Sequence, residues 1–104
     1  MIECKAVIPM KVGKAVIELI MRDLTAAFGG LQSYTGAGLW SDPDQGGRVV
    51  AEEIATIIAA IPSAIDWPTF QEIVENHCRD AGERYLYMAH HCGHATIKPL
   101  KEKD

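Results

Sequence analysis

Three of the four histidines of this chain and one of its three cysteines fall within five consecutive residues, His90, His91, Cys92, Gly93 and His94. Imidazole and thiolate are the side chains that hold transition metals and attack electrophiles near neutral pH. Supplemented by His77 or Cys78, this run supplies the donor set of a zinc or other transition-metal site, which needs three or four ligands converging at about 2.0–2.3 Å. The spacing argues the other way. Adjacent residues such as His90 and His91 point to opposite faces of a strand, and no C-x-x-C or H-x-x-x-H pair is present. The favoured reading is therefore a hairpin turn with Cys92 and Gly93 at its centre and His91 and His94 beside it. It becomes a metal site only if His77, Cys78 or a second subunit meets it, so no cofactor is expected unless that happens.

The remaining chemistry-bearing residues each have a structural reading beside the functional one. Cys78 next to His77 could form a nucleophile and base, but it falls on the apolar stripe of a helix and reads as a core thiol, leaving Cys92 as the more exposed cysteine. Glu52 and Glu53 are neighbours on a strand and face opposite ways, so they are expected to make a solvated hairpin end and not an acid–base pair. Lys11 and Lys14 read as the first turn of a helix, where positive charge opposes the dipole, and a solvated start is expected. Trp67 and Phe70 read as core. Trp40, with Asp42 and Asp44 in the adjoining loop and Tyr85 and Tyr87 further on, makes the best candidate for an interface.

These residues are carried by elements of two periods. Ile2, Cys4, Ala6, Ile8 and Met10 alternate with Glu3, Lys5, Val7 and Pro9, which predicts a strand with one buried face. From Lys11 to Phe28 the period lengthens to that of an amphipathic helix, with Gly13, Ile17, Ile20, Leu24 and Ala27 along one side and Gly29-Gly30 as its stop. Leu31–Trp40 reads as a strand in which Gly36 and Gly38 mark a bulge or a close approach of backbone. Residues 41–47 read as a hairpin loop and Arg48–Ile61 as a second long strand. Asp66 and Pro68 open a helix that runs to Asp80 with Trp67, Phe70, Val74, Cys78 and Ala81 stacked. Strands over 84–89 and 95–98 follow, then a charged tail over 100–104.

The order strand, helix, strand, strand, helix, strand predicts a ferredoxin-like βαββαβ sandwich. Four antiparallel strands would form one sheet with two helices on one face, and the strand after Gly93 would add an edge. The apolar third strand implies that the bare face is covered, so a homo-oligomer is expected. At 104 residues, 48% of them hydrophobic and 23% charged, residues 1–99 suffice for a single domain with its own core. A net charge of −4 without a basic patch argues against nucleic acid as a partner. No stretch is apolar for long enough to span a membrane. The odd, widely spaced cysteines and an N-terminus without an export pattern read as a reduced, cytoplasmic protein.

The segment Phe28-Gly29-Gly30-Leu31-Gln32-Ser33-Tyr34-Thr35-Gly36-Ala37-Gly38-Leu39-Trp40, followed by a Gly-containing turn and Glu52 or Glu53, resembles a pattern in small uncharacterised ferredoxin-like bacterial and phage proteins. The resemblance spans the middle third of the chain and implies fold; it brings no catalytic residue. The histidine-rich final turn departs from it. A looser similarity to the trimeric nitrogen-signalling PII-type proteins is one of topology, since only about seven turn residues stand where their long loop would fall. The functional expectation that follows is a small non-catalytic binding protein with a protein partner, of the kind a phage or mobile element uses to inhibit a host protein. The alternatives are a metal-binding or metal-sensing protein using the histidine turn, and a small ferredoxin-like enzyme with its site at an oligomer interface.

Overall fold

A central strand, β1 (Ile2–Pro9), is flanked on both sides by antiparallel partners in the computed structural model, which describes residues 2–83, 85–90 and 95–100. The other elements are α1 (Lys14–Phe28), β2 (Leu31–Asp42), β3 (Arg48–Ile61), α2 (Trp67–Asp80), β4 (Tyr85–His90) and β5 (Ala95–Pro99), and the sheet order is β2-β3-β1-β4-β5. The first four strands and two helices give the ferredoxin-like arrangement expected from the element order, and β5 extends the sheet beside β4. Each helix closes a split βαβ unit: α1 joins β1 to β2 across β3, and α2 joins β3 to β4 across β1.

The alternation in β1 sends Cys4, Ala6 and Ile8 into the core, where all three are fully buried. Ala55, Ile57, Ala59 and Ile61 of β3 and Leu86 and Met88 of β4 lie on the same face. The helices cover it with Ile17, Ile20 and Leu24 from α1 and Trp67, Phe70, Val74 and Cys78 from α2. Trp67 stacks on Phe70 with ring centroids 5.6 Å apart. Burying these side chains supplies most of the driving force for the fold, at roughly 1.5–3 kcal/mol for each large apolar group.

Local chemistry explains where the elements depart from expectation. The first helix does not begin at Lys11, because Gly13 has φ 103° and stands outside α1 as its N-cap. Met10–Val12 instead forms a 3-10 turn. At the other end Gly29, φ 92°, caps α1 as expected and donates its N–H to the Thr25 carbonyl at 2.8 Å. Asp66 does not cap α2 with its side chain; it accepts from the Ser63 N–H and closes a capping box around the 3-10 turn Ala64–Asp66.

The β2–β3 pairing runs one-to-one from Leu31↔Ala59 to Asp42↔Arg48, so Gly36 and Gly38 introduce no bulge and the hairpin loop is shorter than residues 41–47. Of the charged tail, residues 101–104 lie outside the described part of the chain.

Candidate functional site

The β1–β3 pairing stops at Pro9↔Ile54, whereas β2 and β3 continue as a two-stranded ribbon to Asp42↔Arg48. The corner between this ribbon, the 3-10 turn after β1 and the start of β4 encloses a cavity of about 580 Å3. That volume lies within the range of small-molecule sites. Val7, Pro9 and Val50 contribute apolar wall, Trp40 and Tyr87 contribute aromatic wall, and Lys11, Asp42, Asp44, Glu52 and Glu83 bring one ammonium and four carboxylates.

Register determines which side chains enter. Trp40 is paired with Val50 and Gly38 with Glu52, so by alternation all four lie on the sheet face away from the helices, with Trp40 diagonal to Glu52. The indole Nε1 donates to Glu52 Oε2 at 2.9 Å. It can lean across because residue 38 has no side chain: a Cβ there would stand 3.4 Å from both Trp40 Cζ2 and Ile54 Cγ2. On the same face of β1 and β4, Val7 is paired with Tyr87, and the Lys5 ammonium lies 5.9 Å from the Tyr87 ring centroid.

Lys11 joins the walls. Its Nζ donates to Glu52 Oε1 at 3.3 Å and lies 3.7 Å from Glu83 Oε2. Its side chain is 63% exposed, whereas those of Glu52 and Glu83 retain 18% and 8%. Burial works against the Lys11 charge, yet Glu83, Glu52 and Asp42 outweigh it and hold the ammonium above the usual lysine range. The expectation of a solvated Glu52 is corrected accordingly, whereas Lys11 stays mostly exposed while paired with two carboxylates. Strand alternation sends Glu52 inward while Glu53, on the opposite face, is exposed.

The other residues singled out in the sequence are distributed as follows. Trp40, Asp42, Asp44 and Tyr87 converge on the cavity. Asp42 also builds the turn, accepting from the Asp44 N–H and from Gln45 Nε2, both at 2.9 Å. Tyr85 is paired with Pro99 on the outer side of β4.

The candidate metal ligands that can be described stand apart. His77 bridges α2 to α1 through Asp23 Oδ2 at 2.7 Å. His90 is not in a turn; it ends β4, paired with Cys4, and its ring meets Trp67 edge-on at 4.8 Å. Cys78 is fully buried and follows Trp67 along α2 by roughly 16 Å at the helical rise per residue. Burial, with a further push from the Glu83 charge, raises the Cys78 thiol to about 12, which removes it as a thiolate nucleophile. Among the described residues no group of three or more His, Cys, Asp or Glu side chains is placed to hold a metal ion. His91, Cys92 and His94, and with them the proposed turn, lie outside the described residues.

Lys11, Glu52 and Glu83 are the members that sequence reasoning missed. Counting outward from Gln45, the centre of the loop between Asp42 and Arg48, pairs Gly38 with Glu52 and puts Trp40 beside it, whereas the loop read from the sequence, 41–47, centres on Asp44 and misses that register. Nothing local announces Glu83, which reaches the site through the β1–β4 pairing.

No protein-family model matches this chain, and no curated protein matches it. Solved structures do. A phage SAM lyase in complex with S-methyl-5'-thioadenosine superimposes with a TM-score of 0.72 at 11% sequence identity, over 99% of this chain and 92% of the other. The same kind of enzyme in its apo state gives a TM-score of 0.70 at 12% identity, with the same coverage. At these identities the likeness establishes the fold. The expectation of a non-catalytic binding protein is left without support, because these two proteins of the same fold are enzymes. Among the described residues, no helix is long and apolar enough to cross a membrane.

Proposed function

We propose that this chain is a lyase acting on S-adenosylmethionine in the cavity between the β2–β3 ribbon, Lys11 and the start of β4. The observation that carries the reading is the cavity lining: among the described residues, two aromatic side chains, Trp40 and Tyr87, together with four carboxylates against one ammonium. A sulfonium nucleoside has a positive centre and an aromatic base, and that lining complements both. Carboxylates offset the charge, indole and phenol faces attract a cation, and either ring can stack on adenine. The same fold in a phage SAM lyase that holds S-methyl-5'-thioadenosine supports the choice of substrate.

Formation of that thioether from S-adenosylmethionine breaks the bond between sulfur and the aminobutyrate carbon; the bonding pair stays on sulfur, which becomes neutral, and the carbon takes its new pair from the substrate's own carboxylate, closing the aminobutyrate fragment into a five-membered lactone. The side chains described here bind and orient. Glu52 accepts from the Trp40 indole, so its charge is held in place before substrate arrives, as electrostatic preorganisation requires.

The test is incubation of purified protein with S-adenosylmethionine and mass-spectrometric detection of S-methyl-5'-thioadenosine. Release above the spontaneous rate, abolished by Glu52→Ala in a folded variant, is expected. A rate equal to the protein-free control overturns the reading.

A further inference from the structure

Among the described residues Lys11 carries the one ammonium lining the cavity, and it lies between two carboxylates from different walls, Glu52 on β3 and Glu83 before β4. Its attachment is loose. The side chain is mostly solvent-exposed, the two N···O separations of 3.3 and 3.7 Å are long for charge-assisted pairs, and its backbone belongs to a three-residue 3-10 turn. Both carboxylates are by contrast well covered. Pro9, Lys11 and Glu52 also line a smaller hollow of about 360 Å3 between the turn after β1 and β3, so the lysine stands at a boundary with open space beyond it.

We propose that the Lys11 ammonium occupies the cation subsite of the ligand-free cavity and that a cationic ligand must displace it from Glu52 and Glu83. Lys11 is thus a specificity-determining residue, a tethered competitor that lowers affinity for positively charged ligands and leaves neutral ones unaffected. The inference rests on the ligand class given under the proposed function. Its logic is electrostatic: a ligand cation gains the two carboxylates only after an existing pair is broken, whereas a neutral ligand leaves that pair in place. Exposed pairs are weak, so the effect is a tuning of affinity on the order of two- to fivefold.

Equilibrium titration followed by intrinsic tryptophan fluorescence tests this with two inert probes. Sinefungin carries an ammonium where the substrate has its sulfonium, and S-methyl-5'-thioadenosine is uncharged. Lys11→Met is expected to tighten sinefungin about two- to fivefold and to change S-methyl-5'-thioadenosine by less than about twofold, while Lys11→Arg keeps the wild-type ratio. Weaker sinefungin binding in Lys11→Met would mean that the lysine positions the carboxylates for the ligand, and equal changes for both probes would reduce its role to packing. Either result overturns the inference and leaves the proposed function standing. Failure of both probes to bind wild type and variant alike overturns the two together.

Discussion

Trp40 donates its indole N–H to Oε2 of Glu52 at 2.9 Å, linking β2 to β3 across the face of the sheet that faces away from the helices. The bond orients an aromatic plane and a negative charge together. Glu52→Gln keeps an oxygen that can accept from the indole but removes the charge. Turnover of S-adenosylmethionine is expected to fall at least about tenfold, the scale of a lost hydrogen bond to a charged group. Thermal unfolding should move little, because Glu52 lies outside the core. A rate within twofold of wild type would remove Glu52 from the site.

Gly38→Ala separates the cavity from the fold. The added methyl would meet Trp40 Cζ2 and Ile54 Cγ2 at 3.4 Å, a tight contact that the indole can relieve by rotating away from Glu52. Stability should stay within about 1 kcal/mol of wild type, since alanine is the better strand residue and the crowding is slight. Affinity for S-methyl-5'-thioadenosine should drop severalfold and the tryptophan emission should shift. Unchanged affinity would show that the indole is not part of the binding surface.

The Asp23–His77 contact ties α1 to α2 and makes acid stability depend on one carboxylate. The hydrogen bond from His77, opposed by burial and aided by Arg22, lowers the Asp23 pKa from its ordinary 3.8. A depressed carboxylate contributes stability above its unfolded-state pKa and loses that contribution as pH falls through the folded value. Denaturant midpoints measured between pH 5 and pH 2 should therefore decline more steeply for wild type than for Asp23→Asn, with the difference opening below about pH 4. Parallel profiles would mean that the pair is neutral to folding.

Cys78 is expected to resist alkylation. Its thiol is buried and pushed up to about 12, first by desolvation and then by the Glu83 charge. Iodoacetamide at pH 8 should label Cys78 at least about a hundredfold more slowly in the native protein than in denaturant, because reaction must wait for opening of α2. Peptide mapping reads this directly. Rapid native labelling would contradict the packing of α2 on the sheet.

The fold was legible because hydrophobic period changes cleanly along this chain. The alternation at Ile2–Ile8 and the stripe Trp67, Phe70, Val74, Cys78 each specify an element and its buried side. Gly13 was misread because glycine fits a helical stripe as well as it fits a cap, and only its φ of 103° separates the two.

The site was legible in part. Trp40, Asp42, Asp44 and Tyr87 were singled out by residue type, and all four line the cavity. Lys11 and Glu83 were not, since their role comes from an ion pair between the turn after β1 and the segment before β4, which are far apart in sequence. The histidine run drew attention through composition. Yet His77 serves a helix contact and His90 packs on Trp67, tasks that sequence spacing does not announce.

The central position of β1 has a kinetic consequence. The β2–β3 hairpin joins neighbours in the chain and can form early, but the cavity lacks Glu83, Leu86 and Tyr87 until Val7 finds Tyr87 and β4 docks against the first strand. Pairings between distant parts of a chain are slow because loop-closure entropy must be overcome first. A growing polypeptide would therefore hold a formed ribbon and half a core well before it could recognise any ligand. Ligand added during refolding should slow unfolding of the finished sheet without accelerating formation of the hairpin.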